Sequence, residues 1–342
     1  MRLKFVGPLA SLLKSQKQLR RMLSSLGIPP ISTPLKSKRH PAVKAVAGRL
    51  RDVAEFGSNP GQLQMLEYLP PRLRSQAPLV VVLHGCLQDA QSFDDGSGWS
   101  VLARQHRFGL LYPEQRTANN PNRCFNWFRP SAVARDRGEL MSIRQMIDHA
   151  VLTHGYDPAR VYIVGLSAGG AMAAALLATY PELFAAGAIV GGLPFGAARD
   201  AMSALSVMSA GANRTPAEWG DLVRTVSPAM VHAPAISVWH GTDDRVVNIG
   251  NGEACVQQWL SVFGLDDSAT SDMDAPWGRL QQWRDQAGHA AVSFYRIAGM
   301  GHGLPVGPKQ LGDPGSADRF MLAAGISAPR ELALAWGLKD RQ

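Results

Sequence analysis

The chain has 342 residues, 46% hydrophobic and 18% charged, enough to bury a large core as one α/β domain with extensions or as two domains. No uninterrupted apolar stretch reaches the roughly 18 residues that span a bilayer, so a soluble globular protein is expected. The net charge of +8 is concentrated in residues 1–50, which hold eleven of the 35 Lys/Arg and no Asp or Glu; the remainder carries 24 basic against 27 acidic residues. A basic arm on a nearly neutral body argues against a nucleic-acid-binding enzyme.

Within the arm, Leu12, Leu19, Met22, Leu23 and Leu26 recur at helical spacing among Lys14, Lys17, Arg20 and Arg21. That pattern predicts a short basic amphipathic helix suited to peripheral contact with an anionic surface; the alternative is a poorly ordered tail. MRLKFVGPLASLL has a basic start and a short apolar stretch, but no small-residue cleavage site follows, so no signal peptide is assigned and the compartment stays open. Pro29, Pro30, Pro34 and Pro41, interleaved with Ser and Lys, read as a linker. The expected division is therefore residues 1–48 as arm and linker and residues 49–342 as catalytic domain. The three cysteines, Cys86, Cys124 and Cys255, lack metal-ligand spacing.

Beyond the arm, apolar runs alternate with helical patterns. Strands are predicted in QLQMLEYLP near residue 62, APLVVVLHG from Ala77, FGLLYP from Phe108, RVYIVG from Arg160, AAGAIVG from Ala185, AISVWHG from Ala235 and VSFYRIAG from Val292. Helices are predicted around 97–106, 138–154, 167–180 and 251–262. Short apolar strands separated by helices imply an α/β fold, a mostly parallel central sheet with helices on both faces, whose site lies at the carboxyl ends of the strands. The stretches 193–232 and 265–288 read as insertions, each a lid, a pocket wall or surface decoration.

In VYIVGLSAGGAMAAALLATYP the apolar run breaks at Gly165 and resumes as an alanine-rich helix, which puts Ser167 at a strand–turn–helix corner. Gly-x-Ser-x-Gly in that setting reads as a nucleophile elbow. Its partners should follow in the order Ser, acid, His. Asp243 and Asp244 directly follow one predicted strand, and His302 lies between glycines after the last. Either aspartate suits the orienting acid on position alone, and His302 suits the proton shuttle. The strand-ending His84-Gly85-Cys86 turn supplies an oxyanion loop, with the Cys86 and Ala168 amides as the natural donor pair. His84 precedes the serine and occupies that loop, so it is read as structural. Such chemistry calls for no metal and no organic cofactor.

LHGCLQDAQSF, LYPEQ, CFNWFRP, RGELMSI, VGLSAGGAM, HGTDDRVVNIGNGE, GMGHGLPVG and GISAPRELALAWGL follow one another from about residue 60 to the C-terminus. In these segments the chain resembles the polyhydroxybutyrate depolymerase family of esterases, related to feruloyl and acetyl-xylan esterases, all of the α/β-hydrolase fold. The resemblance implies Ser167 as nucleophile, His302 as base and Asp244, rather than Asp243, as acid. It also implies a Cys86–Cys124 disulfide and a small-molecule or oligomeric ester as substrate. The family's export would place the protein outside the cytoplasm. Trp127 in CFNWF is a candidate pocket residue, and Leu304 takes a place where the family more usually has an aromatic side chain, which bears on the pocket wall. Polymer-degrading members tend to carry a separate polymer-binding domain; none is read after ALAWGLKDRQ, which favours soluble esters or 3-hydroxybutyrate oligomers as substrates. The alternatives are a feruloyl or acetyl-xylan esterase, a peptidase or acyltransferase on the same scaffold, and a catalytically weak binding module that docks on a lipid or polymer surface.

Overall fold

The structure, a computed structural model, describes residues 49–307 and 319–338. The expected amphipathic helix and linker of the basic arm lie outside these residues. In chain order the strands are β1 (Arg51–Val53), β2 (Gln64–Tyr68), β3 (Leu79–Leu83), β4 (Gly109–Glu114), β5 (Val161–Leu166), β6 (Ala186–Val190), β7 (Ala235–Gly241), β8 (Ser271–Ala275), β9 (Gly278–Arg284), β10 (Ala290–Ile297), β11 (Leu304–Val306) and β12 (Met321–Ala323). The α-helices are α1 (Ala90–Ser97), α2 (Trp99–His106), α3 (Gly138–His154), α4 (Ala168–Thr179), α5 (Ala201–Ala210), α6 (Pro216–Val226), α7 (Gly250–Phe263) and α8 (Ala328–Ala335).

The apolar runs become neighbours in one ten-stranded sheet, in the order β1-β2-β4-β3-β5-β6-β7-β10-β9-β8. From β4 to β10 every pairing is parallel, whereas β1-β2 at one edge and β9-β8 at the other join antiparallel. A parallel strand covered on both faces must be apolar on both, and β3 (Leu-Val-Val-Val-Leu) meets this demand with five buried residues. Leu79, Val81 and Leu83 face a core shared with α3, α4, α6 and α7. Val80 and Val82 face the opposite core, shared with α1, α2, α8 and the small β11–β12 pair. This is the α/β-hydrolase arrangement read from the sequence.

The helix after the serine is buried along all 12 of its residues. Its alanines and glycines give it the slim profile needed to lie between the sheet and the outer helices. On the other face, Trp336 stacks on both Trp99 and Tyr162, with ring centroids 6.1 and 5.0 Å apart, and so fastens the end of α8 to the sheet.

Two regions differ from expectation. Residues 265–288, read as an insertion, contain β8 and β9, which extend the sheet itself. Edge strands open to solvent have no need of an apolar run; within β8 and β9 only Trp283 is buried, its indole N–H donating to the Asp267 carbonyl. Helix α1 also escapes periodicity because its sequence, AQSFDDGS, is polar, yet Asp89 caps it in a reciprocal box with Ser92. The stretch 193–232 holds α5 and α6, the latter started by a Thr215–Glu218 capping box.

Candidate active site

The elbow follows from steric demands. Ser167 adopts φ 57° and ψ −117°, a conformation few side chains accept and one that costs about 1–3 kcal/mol. It persists because its surroundings fix it. The Ser167 N–H donates to the Val190 carbonyl at the end of β6, and the Ser167 carbonyl accepts from Ala171 in the first turn of α4. A methyl at Gly165 would stand 2.1 Å from the Gly169 carbonyl oxygen, and one at Gly169 would stand 2.4 Å from that of Leu83. Both glycines are thus required for the helix to start against the strand ends, and the start of α4 then points the serine above the sheet.

Two strand ends away, the aspartate and histidine loops are joined. The Asp243 N–H donates to the Met300 carbonyl, Thr242 N–H to Ile297, and Gly299 N–H to the Thr242 hydroxyl. Gly241 permits this, since a Cβ there would lie 2.1 Å from the Met300 oxygen. Asp244 then meets His302, with Oδ2 2.7 Å from Nδ1. Its Oδ1 accepts from the Val246 and Val247 amides, each at 2.8 Å. Burial works to raise the Asp244 carboxyl pKa, but hydrogen bonds from His240 and His302 outweigh it and hold the group well below the ordinary carboxylate range. Asp243, by contrast, accepts from the Thr242 hydroxyl within its turn. Gly191, just after β6, runs beneath the pair: a Cβ there would lie 3.3 Å from His302 Cε1 and 3.6 Å from Asp244 Oδ2. The strand end that holds the Ser167 amide therefore leads directly to the His302–Asp244 pair.

The loop after β3, read from the sequence as an oxyanion loop, is held mostly by residues distant in sequence. Gly85 N–H donates to the Gln88 side chain and Leu87 N–H to the Asn122 carbonyl, one on each side of Cys86. Cys86 and Cys124 are joined in a disulfide. Beneath the partner loop, buried Glu139 at the start of α3 accepts from the Asn126 amide N–H, the Asn126 side chain and Gln115 Nε2. Burial raises its carboxyl pKa. Glu139 gave no separate signal in the sequence beyond its place in RGELMSI. His84 is buried, with Nδ1 2.7 Å from the Gly85 carbonyl and Nε2 accepting from the Gln115 amide; burial lowers its pKa to about 4. With both nitrogens engaged by backbone, it serves as a strut of the loop.

The two pocket candidates, Trp127 and Leu304, occupy different settings. Trp127 is 9% exposed, packed edge-on against Phe128 at 5.6 Å. Leu304 corrects the reading of it as pocket wall: it is fully buried on β11, in the core between the sheet and α1, α2 and α8. The aliphatic side chain there fills core volume. Among the described residues, no three His, Cys, Asp or Glu side chains gather as a metal site, and no helix is long and apolar enough to cross a membrane.

Residues 63–277 match the model of the esterase PHB depolymerase family. Poly(3-hydroxyalkanoate) depolymerase C of Paucimonas lemoignei is 43% identical over 76% of this chain, and the chain spans 63% of that protein's length. Feruloyl esterase B of Thermothelomyces thermophilus is 31% identical over 79% of this chain and 94% of its own. Among solved structures, an acetyl xylan esterase from Aspergillus awamori superposes with a TM-score of 0.73 at 23% identity, covering 85% of this chain and all of that one, which shows the shared fold.

Proposed function

The chain belongs to the esterase PHB depolymerase family, a family of ester hydrolases, and from that premise we propose that it cleaves carboxylic esters through an acyl-enzyme built on Ser167, His302 and Asp244. The observation that carries the proposal is the 2.7 Å His302–Asp244 contact, at the same end of the sheet as a strained serine elbow. In the first half-reaction the Ser167 hydroxyl attacks the ester carbonyl carbon while His302 Nε2 takes its proton. The negative oxygen of the tetrahedral intermediate rests on the Cys86 and Ala168 amides. Collapse expels the alcohol, which leaves with the proton from His302. Water then attacks the acyl-serine, its proton passing to His302; the acid departs and Ser167 regains its proton. Asp244 keeps the imidazole in the Nδ1–H form and stabilises the imidazolium between steps.

The proposed substrates are 3-hydroxybutyrate oligomers and short-chain esters, supported by the depolymerase relative. The feruloyl esterase match, which extends over nearly all of that enzyme, supports phenolic or acetyl esters as a second reading. The disulfide favours an oxidising, extracytoplasmic compartment. The test is acid release from 3-hydroxybutyrate oligomers, methyl ferulate, acetylated xylan and p-nitrophenyl esters by wild type and Ser167→Ala. Loss of about a thousandfold or more in the variant is expected, and the preferred ester identifies the pocket. Equal inertness of both folded proteins would bring forward a binding module in place of an enzyme.

A further inference from the structure

A second histidine touches the Asp–His pair. His240, near the end of β7, is 1% exposed, and its Nε2 lies 2.8 Å from the Val247 carbonyl oxygen and 3.4 Å from Asp244 Oδ2. A carbonyl only accepts, so Nε2 carries the proton and donates. The residue whose carbonyl it holds is also the one whose amide holds Asp244: Val247 N–H donates to Asp244 Oδ1 at 2.8 Å. His240 thus bears on the carboxylate from two sides, by gripping the loop that grips Oδ1 and by setting its Nε2 3.4 Å from Oδ2.

The other ring nitrogen shows what this arrangement costs. His240 Nδ1 is buried without a hydrogen-bond partner among the described residues and faces the first turn of α7, where a Cβ at Gly252 would stand 2.8 Å away. A buried acceptor left unpaired destabilises the fold, and an aliphatic side chain would avoid that penalty. A requirement for the Nε2–H accounts for the histidine.

We propose that His240 is a positioning residue: a neutral imidazole, protonated at Nε2, that keeps Asp244 turned toward His302. The proposal rests on the assignment of Asp244 and His302 to the triad. Glutamine places an amide donor near the Nε2 position, asparagine only near Nδ1, and phenylalanine keeps the ring without a donor. On the best soluble ester of the panel, His240→Gln should stay within about threefold of wild type. His240→Asn and His240→Phe should lose about tenfold or more in kcat with KM changed by less than about twofold. The low-field proton resonance of the His302–Asp244 hydrogen bond should persist in His240→Gln and weaken or vanish in the other two, a change that loss of stability alone does not produce. Wild-type protein labelled with 15N-histidine supplies a readout independent of variant folding: a neutral Nε2–H tautomer for His240 is expected, and an Nδ1–H tautomer would overturn the proposal. Unchanged kcat and low-field resonance in a folded His240→Phe would overturn it as well. Ser167→Ala and His302→Ala, measured alongside, separate the two failures. If they are inactive while His240→Phe is normal, only the role of His240 falls; if they remain active, the triad itself is wrong.

Discussion

The serine elbow and the proposed oxyanion loop sit side by side at the ends of β5 and β3, yet they are held by opposite means. The elbow is held by close backbone packing: Gly165 must clear the Gly169 carbonyl within the motif, Gly169 must clear the Leu83 carbonyl of β3, and the Ser167 amide is taken by Val190 of β6. The oxyanion loop is assembled from afar. Its geometry depends on Gln115, Asn122, Cys124, Asn126 and Glu139, linked by hydrogen bonds and one disulfide. A close-packed device fails when a single atom is added, whereas a distributed one loses function in stages as its ties are cut.

Substitutions sharpen this contrast. Gly165→Ala should have the largest effect, since its methyl would fall 2.1 Å from a backbone oxygen that has nowhere to go. A loss of roughly 3 kcal/mol or more in urea unfolding is expected, with activity abolished. Cys124→Ser opens a tie between residues 38 apart in sequence. It should cost about 2–4 kcal/mol in the same assay and lower kcat while the elbow remains intact. Glu139→Gln changes no volume but sets an amide N–H₂ against donors from Asn126 or Gln115. The expected cost is about 1–3 kcal/mol, with kcat reduced more than KM is raised.

The smallest effect concerns pH. His84 has a pKa of about 4 when folded, against about 6.5 for an unperturbed histidine. Between these values the unfolded chain binds the extra proton, so stability rises with pH and falls on acidification through that window. From pH 6.5 to 5.5 the loss from His84 should be about 1 kcal/mol. His84→Gln should remove that share of the slope in urea titrations; an unchanged slope would show that His84 is not the group responsible.

The same contrast explains what could be read in advance. The central strands were legible because a doubly covered parallel strand has to be apolar throughout. The Gly-x-Ser-x-Gly corner was legible because its residue pattern and the clash that excludes a side chain at Gly165 lie within five residues, although the Leu83 carbonyl that excludes one at Gly169 comes from β3. His302 could be found from its glycine-flanked place after the last central strand. Asp244 could not be separated from Asp243 by position, because the difference lies in which carboxylate the Val246 and Val247 amides receive, and family resemblance was needed to choose. Glu139 and His240 stayed hidden for a related reason: each acts through contacts that only the folded chain creates. The β8–β9 edge was missed because a solvent-facing strand needs little apolar sequence. Leu304 was misplaced because its burial comes from packing against the sheet and α1, α2 and α8, contacts that only the folded chain creates.

The central claim is that Ser167 becomes acylated with the help of His302. The most direct measurement is mass spectrometry of the protein after treatment with a p-nitrophenyl alkylphosphonate, which traps an activated serine as a stable adduct. One adduct per chain is predicted, on the peptide containing Ser167, absent from Ser167→Ala and formed at least about a hundredfold more slowly in His302→Ala. An adduct on another residue, or one that forms equally fast without His302, would contradict the account.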